Sequence, residues 1–176
     1  MFLSSMRELK KVRGITTCAM MIAVYVVLNF CAIYITPSIK FTFTYLALAV
    51  MGMLLGPSVA FIGAGLADFL AYFLRPNPAP LHPGIVFTTM LTGLVFGLFL
   101  YRKELKLWRV IAAKACINIF LNLLLNTYWL ADLYGEGYFA MLPARLGKNL
   151  ILLPLEVALI FLVLKVVKST TRHNHI

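Results

Sequence analysis

Acidic side chains are scarce in this sequence. Six Asp and Glu stand against sixteen Lys and Arg, and all charged residues together fill 12% of its 176 positions. A water-facing globular domain usually carries about a quarter, so that class is excluded. Cysteine is also sparse. Cys18, Cys31 and Cys116 all fall in apolar runs, are odd in number and never form a CxxC spacing. They read as inert core thiols rather than a disulfide framework or a zinc site. HExxH, GxSxG and paired His/carboxylate spacings are missing as well. Gly147-Lys148 is followed by Asn149 and has no glycine five positions before it, so no P-loop is present and the chain cannot power transport from ATP by itself. His173 and His175 lie in the polar end 169–176 and read as tail. No catalytic residue, metal or cofactor is expected, and this is not read as an enzyme.

What the chain has in excess is apolar length: 62% of its residues are hydrophobic, with a mean hydropathy of +0.92. Such a chain is a multi-pass membrane protein, here one domain over 1–176 with the lipid bilayer as its surroundings. Six apolar runs can be drawn, at 15–35, 41–56, 57–74, 84–101, 108–130 and 143–165. Each is about 16 to 23 residues, enough to cross or nearly cross a hydrocarbon core about 30 Å thick. The first is too long for a signal-peptide core and more spans follow it, so it counts as a helix. The expected fold is all-α, with six transmembrane helices.

The net charge of +10 sits mostly in short segments flanking the runs, where it sets topology and offers no basic-aromatic surface for nucleic acid. Arg7, Lys10, Lys11 and Arg13, then Arg102, Lys103, Lys106 and Arg109, then Lys165, Lys168 and Arg172 share one side of a six-span chain. That side is cytoplasmic, and both termini with it. The loops 36–40, 75–83 and 131–141 face outward. Pro76, Pro78, Pro80 and Pro83 stiffen the second, and Gly135 and Gly137 loosen the third. They are either plain connectors or lids over a cavity, with Pro78, His82 and Tyr134 as gating candidates.

Polar residues inside the spans gather toward the outer side: Asn29 in helix 1, Asp68 in helix 3, Asn122 and Asn126 in helix 5, and Arg145, Lys148 and Asn149 opening helix 6. At about 100° per residue, Asn118, Asn122, Asn126 and Trp129 fall within about 80° of one another, and Arg145, Lys148, Asn149, Leu152 and Glu156 line one stripe. Ionisable residues at such depth usually mark a functional cavity. Plainer readings stand beside that one: interhelical hydrogen bonding for the Asn stripe, snorkelling for Arg145 and Lys148, and an ion bridge from Asp68 to one of them. Glu156 has no obvious partner, and Lys114 reads as snorkelling from the inner end. The outer aromatics read mainly as a membrane belt, with a minority available for stacking on a flat ligand. An Arg and a Lys one turn apart suit a small anion, the Arg as a bidentate clamp on carboxylate. The small-residue pairs Gly52/Gly56 and Gly93/Gly97 read as internal packing, and the same default applies to Ala19/Ala23.

Beyond these physical readings, Ala19xxxAla23, GLADFL (65–70), YWLADLYGEGYF and above all LPARLGKNLILLPLE resemble the folate-specific S components of energy-coupling factor (ECF) vitamin transporters. The resemblance covers essentially the whole chain. It implies a folate-binding subunit of the bacterial cytoplasmic membrane that works with a coupling membrane protein and two ATPase subunits. It also implies that Ala19 and Ala23 dock on the coupling protein and that the subunit topples to release its vitamin inward. The rival classes are an S component for another vitamin, such as pantothenate or niacin, and a stand-alone carrier or membrane enzyme.

Overall fold

The computed structural model describes Ser5 and residues 12–36, 39–74, 82–135 and 137–173. Helices dominate: α1 (Val12–Phe30), α2 (Thr44–Leu55), α3 (Pro57–Leu74), α4 (Pro83–Leu100), then one continuous rod made of α5 (Leu107–Cys116), a π-helical stretch (Ile117–Asn126) and α6 (Thr127–Tyr134), and finally α7 (Tyr138–His173). The all-helix expectation misses one element. A small antiparallel hairpin, β1 (Ile33–Thr36) with β2 (Ile39–Phe41), joins α1 to α2, pairing Ile33 with Phe41 and Tyr34 with Lys40. Its IYIT and IKF sequences are β-branched and aromatic, which favours a pleated strand over a helical turn. The hairpin takes residues from both neighbouring runs, so α1 stops at Phe30 and α2 keeps only 12 residues. At 1.5 Å per residue α2 is about 18 Å long, short of a full crossing.

Four helical segments are long and apolar enough to cross a membrane: Pro57–Leu74, Pro83–Leu100, Leu107–Leu133 and Arg145–Thr170. Gly14–Phe30 and Thr44–Leu55 are apolar but shorter. Large apolar side chains are exposed along them, including Phe69 and Phe73 on α3, Ile119 and Phe120 on the rod, and Leu150 and Ile151 on α7. Lipid can cover such a surface at no cost.

α4 occupies the middle, packed on α2, α3 and the rod. Glycine makes its approach to α2 and α3 possible. A Cβ on Gly93 would fall 2.4 Å from the Ala60 carbonyl oxygen, and one on Gly97 would fall 2.4 Å from the Pro57 Cα. Gly52 meets Gly97 from α2 in the same way, so the two glycine pairs are internal packing, as expected. Opposite them α3 buries Ala60, Ala64, Ala67 and Ala71 completely. The hydroxyls of Thr88, Thr89 and Thr92 on α4 donate back to the carbonyls of Gly84, Ile85 and Thr88, which keeps them satisfied inside an apolar helix. At the opposite end of the bundle from His82, buried Ser5 donates to the Leu55 carbonyl at 2.7 Å and accepts from Val59 N–H at 3.3 Å. It thereby caps the α2–α3 turn at Gly56, whose φ of 86° suits glycine.

Ala19 and Ala23 depart from the packing default. Both are exposed on α1, leaving a small-residue face uncovered within this chain. Cys31 is exposed too, so only Cys18 and Cys116 are partly inside, as the core-thiol reading required.

Candidate functional site

The amide stripe and the cation of α7 meet. On the rod, Asn122 Nδ2 donates to Asn118 Oδ1 at 3.0 Å. The fully buried Thr127 donates its hydroxyl to the Asn122 carbonyl at 3.1 Å, and Arg145 Nη1 donates to that same hydroxyl at 3.3 Å. The wide turns of the π stretch change the local ladder that these side chains join, a distortion often found at functional sites. Thr127 is the residue sequence reasoning missed. A lone Thr among apolar neighbours carries no signal until α7 packs beside it.

Several polar atoms along this face have no hydrogen-bond partner among the described residues: Asn118 Nδ2, Asn126 Oδ1 and Trp129 Nε1 on the rod, and Tyr45 Oη on α2. Buried polar atoms are nearly always bonded, so the three on the rod mark a face with hydrogen-bonding capacity to spare. Lys148 and Asn149 follow Arg145 on α7 and are half-buried.

At the α4 end of the site, His82 caps α4. Its Nδ1 accepts from Gly84 N–H at 3.2 Å, which leaves the proton on Nε2 and aims it at Asp132 Oδ2, 3.5 Å away on α6. The His82 ring lies 5.3 Å from the Trp129 ring, tilted by 38°, and Tyr128 meets Trp129 edge-on at 5.1 Å. Trp129 rests directly on Gly84, where a Cβ would fall 2.3 Å from the indole. That glycine is required by the close approach. His82, expected as a gating residue, thus bridges α4 to α6 beside the amide stripe. Pro78 lies outside the described residues, and so does the side chain of Tyr134.

For Asp68, where an ion bridge to Arg145 or Lys148 was one of two readings, the bond goes elsewhere. Its Oδ1 accepts from the Tyr25 hydroxyl at 2.8 Å, across α1 and α3. Asn29 is buried at the end of α1, where its carbonyl accepts from Ala32 N–H. Lys114 does not snorkel. Its ammonium lies 3.1 Å from Glu156 Oε2, the two side chains being 3% and 13% exposed, and 4.5 Å from the centre of the Tyr45 ring. Glu156 therefore has the partner its sequence context concealed.

Comparison with known proteins places this geometry. Residues 13–164 match the family described as "ECF transporter, substrate-specific component". The chain belongs to that family. It is 30% identical over 153 residues to the folate transporter FolT of Clostridium novyi (strain NT), covering 87% of this chain and 88% of that one. It is 25% identical over 168 residues to FolT of Leuconostoc mesenteroides subsp. mesenteroides, covering 91% and 90%. Among solved structures it resembles one described as "Crystal structure of FolT bound with folic acid". The TM-score is 0.80 and the identity 33%, covering 86% of this chain and 92% of that one. Members of this family are the substrate-specific components of transporters.

Proposed function

We propose that this protein is the folate-binding subunit of an ECF-type importer in a bacterial cytoplasmic membrane. It crosses that membrane six times as one domain over 1–176, with both termini inside, and takes folate from outside. The observation that carries the reading is Arg145 of α7 bonding the end of the Thr127–Asn122–Asn118 ladder, which lies on the same rod as Trp129. Folate is a flat pterin joined through a p-aminobenzoyl group to a glutamate, and such a ligand needs stacking and amide contacts at one end and a cation at the other. The similarity to proteins named as folate transporters, and to a structure containing folic acid, supports the same ligand.

In this reading Arg145 clamps a glutamate carboxylate while Lys148 adds a point charge and Asn149 a further hydrogen bond. Asn122, Asn126 and Trp129 line the path of the aromatic part, and Asp68 and Asn29 supply polar groups from α3 and α1. The segment containing Pro78, with His82 and Tyr134, closes over the entrance. Release inward is driven by a coupling membrane protein and two ATPase subunits, with Ala19 and Ala23 as the docking face. Mass spectrometry of small molecules co-purifying with the protein, followed by calorimetric titration of folic acid, tests the ligand. A tightly held pantothenate or niacin, with no folate binding, would overturn it.

A further inference from the structure

At the end of the bundle remote from His82, on the side proposed as cytoplasmic, the turn from α4 into α5 collects charge that the proposed cargo site does not use. Arg102, Lys103, Lys106 and Arg109 stand within eight residues and share them with one carboxylate, Glu104. The chain reverses sharply there. Arg102 takes a left-handed φ of 52°, and its guanidinium lies 5.3 Å from the centre of the buried Tyr101 ring. Lys103 Nζ donates to the Leu98 carbonyl at 2.9 Å, and Arg109 Nη1 donates to the Glu104 carbonyl at 3.1 Å. Those acceptors are neutral, so they orient the two cations without cancelling their charge. Glu104 pairs with Lys106 at 3.2 Å, but the two side chains are 76% and 62% exposed, and a pair so open to solvent is weak.

Beside the cations stands an apolar face. Leu107, Trp108 and Ile111 fall within about 100° of one another on the first turns of α5, and all three are exposed, Trp108 by 72%. An indole left so open at the start of a spanning rod suits the headgroup layer, where the ring meets hydrocarbon and its N–H meets water. α7 brings further charge to the same depth. Thr127 meets Arg145 and Lys114 meets Glu156, so the rod and α7 run antiparallel. Lys106 lies eight residues before Lys114, and the exposed Lys165 lies nine after Glu156. At the helical rise both are about 12 to 14 Å from that ion pair, in the same direction.

Setting the orientation of the chain requires only that cations outnumber acids at this end. It requires neither an exposed Trp among them nor cations held in place by backbone carbonyls. We propose that the α4–α5 turn is a binding surface for anionic phospholipid. Arg102, Lys103, Lys106 and Arg109 gather the headgroup phosphates, while Trp108, with Leu107 and Ile111, enters the layer just beneath. Charge complementarity selects a lipid of net negative headgroup over a zwitterionic one, whose own amine would meet the same cations. A soluble acidic partner would answer the cations alone, whereas a lipid answers both halves of the surface. The identity of the cargo does not enter this assignment.

The test mixes the purified full-length protein in detergent with phosphatidylglycerol and phosphatidylcholine of the same acyl chains, and reads the lipid retained by native mass spectrometry. The wild type should retain phosphatidylglycerol preferentially. Arg102→Gln/Lys106→Gln, which spares the two bonds to backbone carbonyls, should cut that preference about fivefold per charge removed, with the unfolding temperature unchanged. Trp108→Ala should lower retention of both lipids alike and leave the preference between them. Equal retention of the two lipids by the wild type would overturn the proposal. A preference that survives Arg102→Gln/Lys106→Gln would do the same and leave the cations to an acidic protein partner, and one lost instead in Lys165→Gln/Lys168→Gln would move the site to α7. Unaltered retention in Trp108→Ala would remove the apolar half of the surface and the proposal with it. Displacement of phosphatidylglycerol by millimolar inorganic phosphate would make this a site for a free anion, and a loss that follows a fall in unfolding temperature would make these residues supports of the fold; either result refutes lipid binding.

Discussion

Lys114 and Glu156 form an ion pair inside a bundle whose surroundings are hydrocarbon, and its removal one charge at a time should expose how the pair is held. Lys114→Met leaves the Glu156 carboxylate, 13% exposed, without the counter-ion 3.1 Å away. Stranding one member of a buried pair costs about 3 to 5 kcal/mol. Glu156→Leu strands the ammonium instead, but Lys114 keeps the face of Tyr45 at 4.5 Å. A desolvated cation–π contact is worth about 1 to 2 kcal/mol, so this variant should lose less than the first. The double variant Lys114→Met/Glu156→Leu removes both charges and fills much of the same volume, and should return to within about 1 kcal/mol of the wild type or exceed it. Denaturant titration in detergent, monitored by circular dichroism, gives the three differences and their coupling energy. Additive losses would refute the reasoning, since they would mean the two side chains support the fold separately. Equal single losses would remove the role given to Tyr45.

Other predictions concern the ligand, the partner and the topology. Arg145→Ala should weaken folic acid by about 2 to 5 kcal/mol in calorimetric titration, with Arg145→Lys rescuing only part, whereas 6-hydroxymethylpterin, which carries no carboxylate, should be nearly indifferent; equal losses for the two ligands would end the carboxylate clamp. Replacement of Ala19 or Ala23 by Trp should abolish uptake in cells expressing the coupling protein and its ATPases while leaving folic acid binding by the isolated subunit intact, because both alanines are exposed; lost binding would place them in internal packing. Single cysteines at positions 79 and 136, on a background lacking the native three, should react with an impermeant reagent from outside, and one at position 104 only from inside; the reverse pattern would invert the proposed orientation.

Much of this architecture was legible because membrane solvation writes itself into long apolar runs. The bounds 57–74 hold for α3, where Gly56-Pro57 fixes the start, and α4 shifts by a single residue. The hairpin was not legible, since Ile33–Thr36 is as apolar as the helix before it, and hydropathy does not distinguish a strand from a helical turn there. Within the site the same division holds. The stripe of Asn118 and Asn122 follows from helical spacing alone, and a side-chain bond joins them. Partners on other helices do not follow from spacing. Asp68 turned to Tyr25 and Glu156 to Lys114, because an ionised group in an apolar bundle takes whichever donor packing brings near, and one sequence does not say which helices are neighbours.

That distinction gives a physical reason for the order of groups along the rod. A charge placed deep must be paired permanently, since nothing else there can solvate it, and Lys114 with Glu156 meets that demand. Neutral amides cost less to leave unpaired, so Asn118 and Asn126 can wait with open hydrogen-bonding positions. Arg145 belongs at the opposite end of the ladder from Lys114. One of its bonds goes to the Thr127 hydroxyl, a neutral acceptor and a weaker one than a carboxylate. Had Asp68 formed the ion bridge that was one of its readings, its carboxylate would compete with an anionic ligand for the cation. With Asp68 held by Tyr25 instead, no such competition arises from that side chain. The order from a fixed ion pair, through amides with open positions, to a cation bonded to a neutral hydroxyl matches the proposed ligand, which is heterocyclic at one end and acidic at the other.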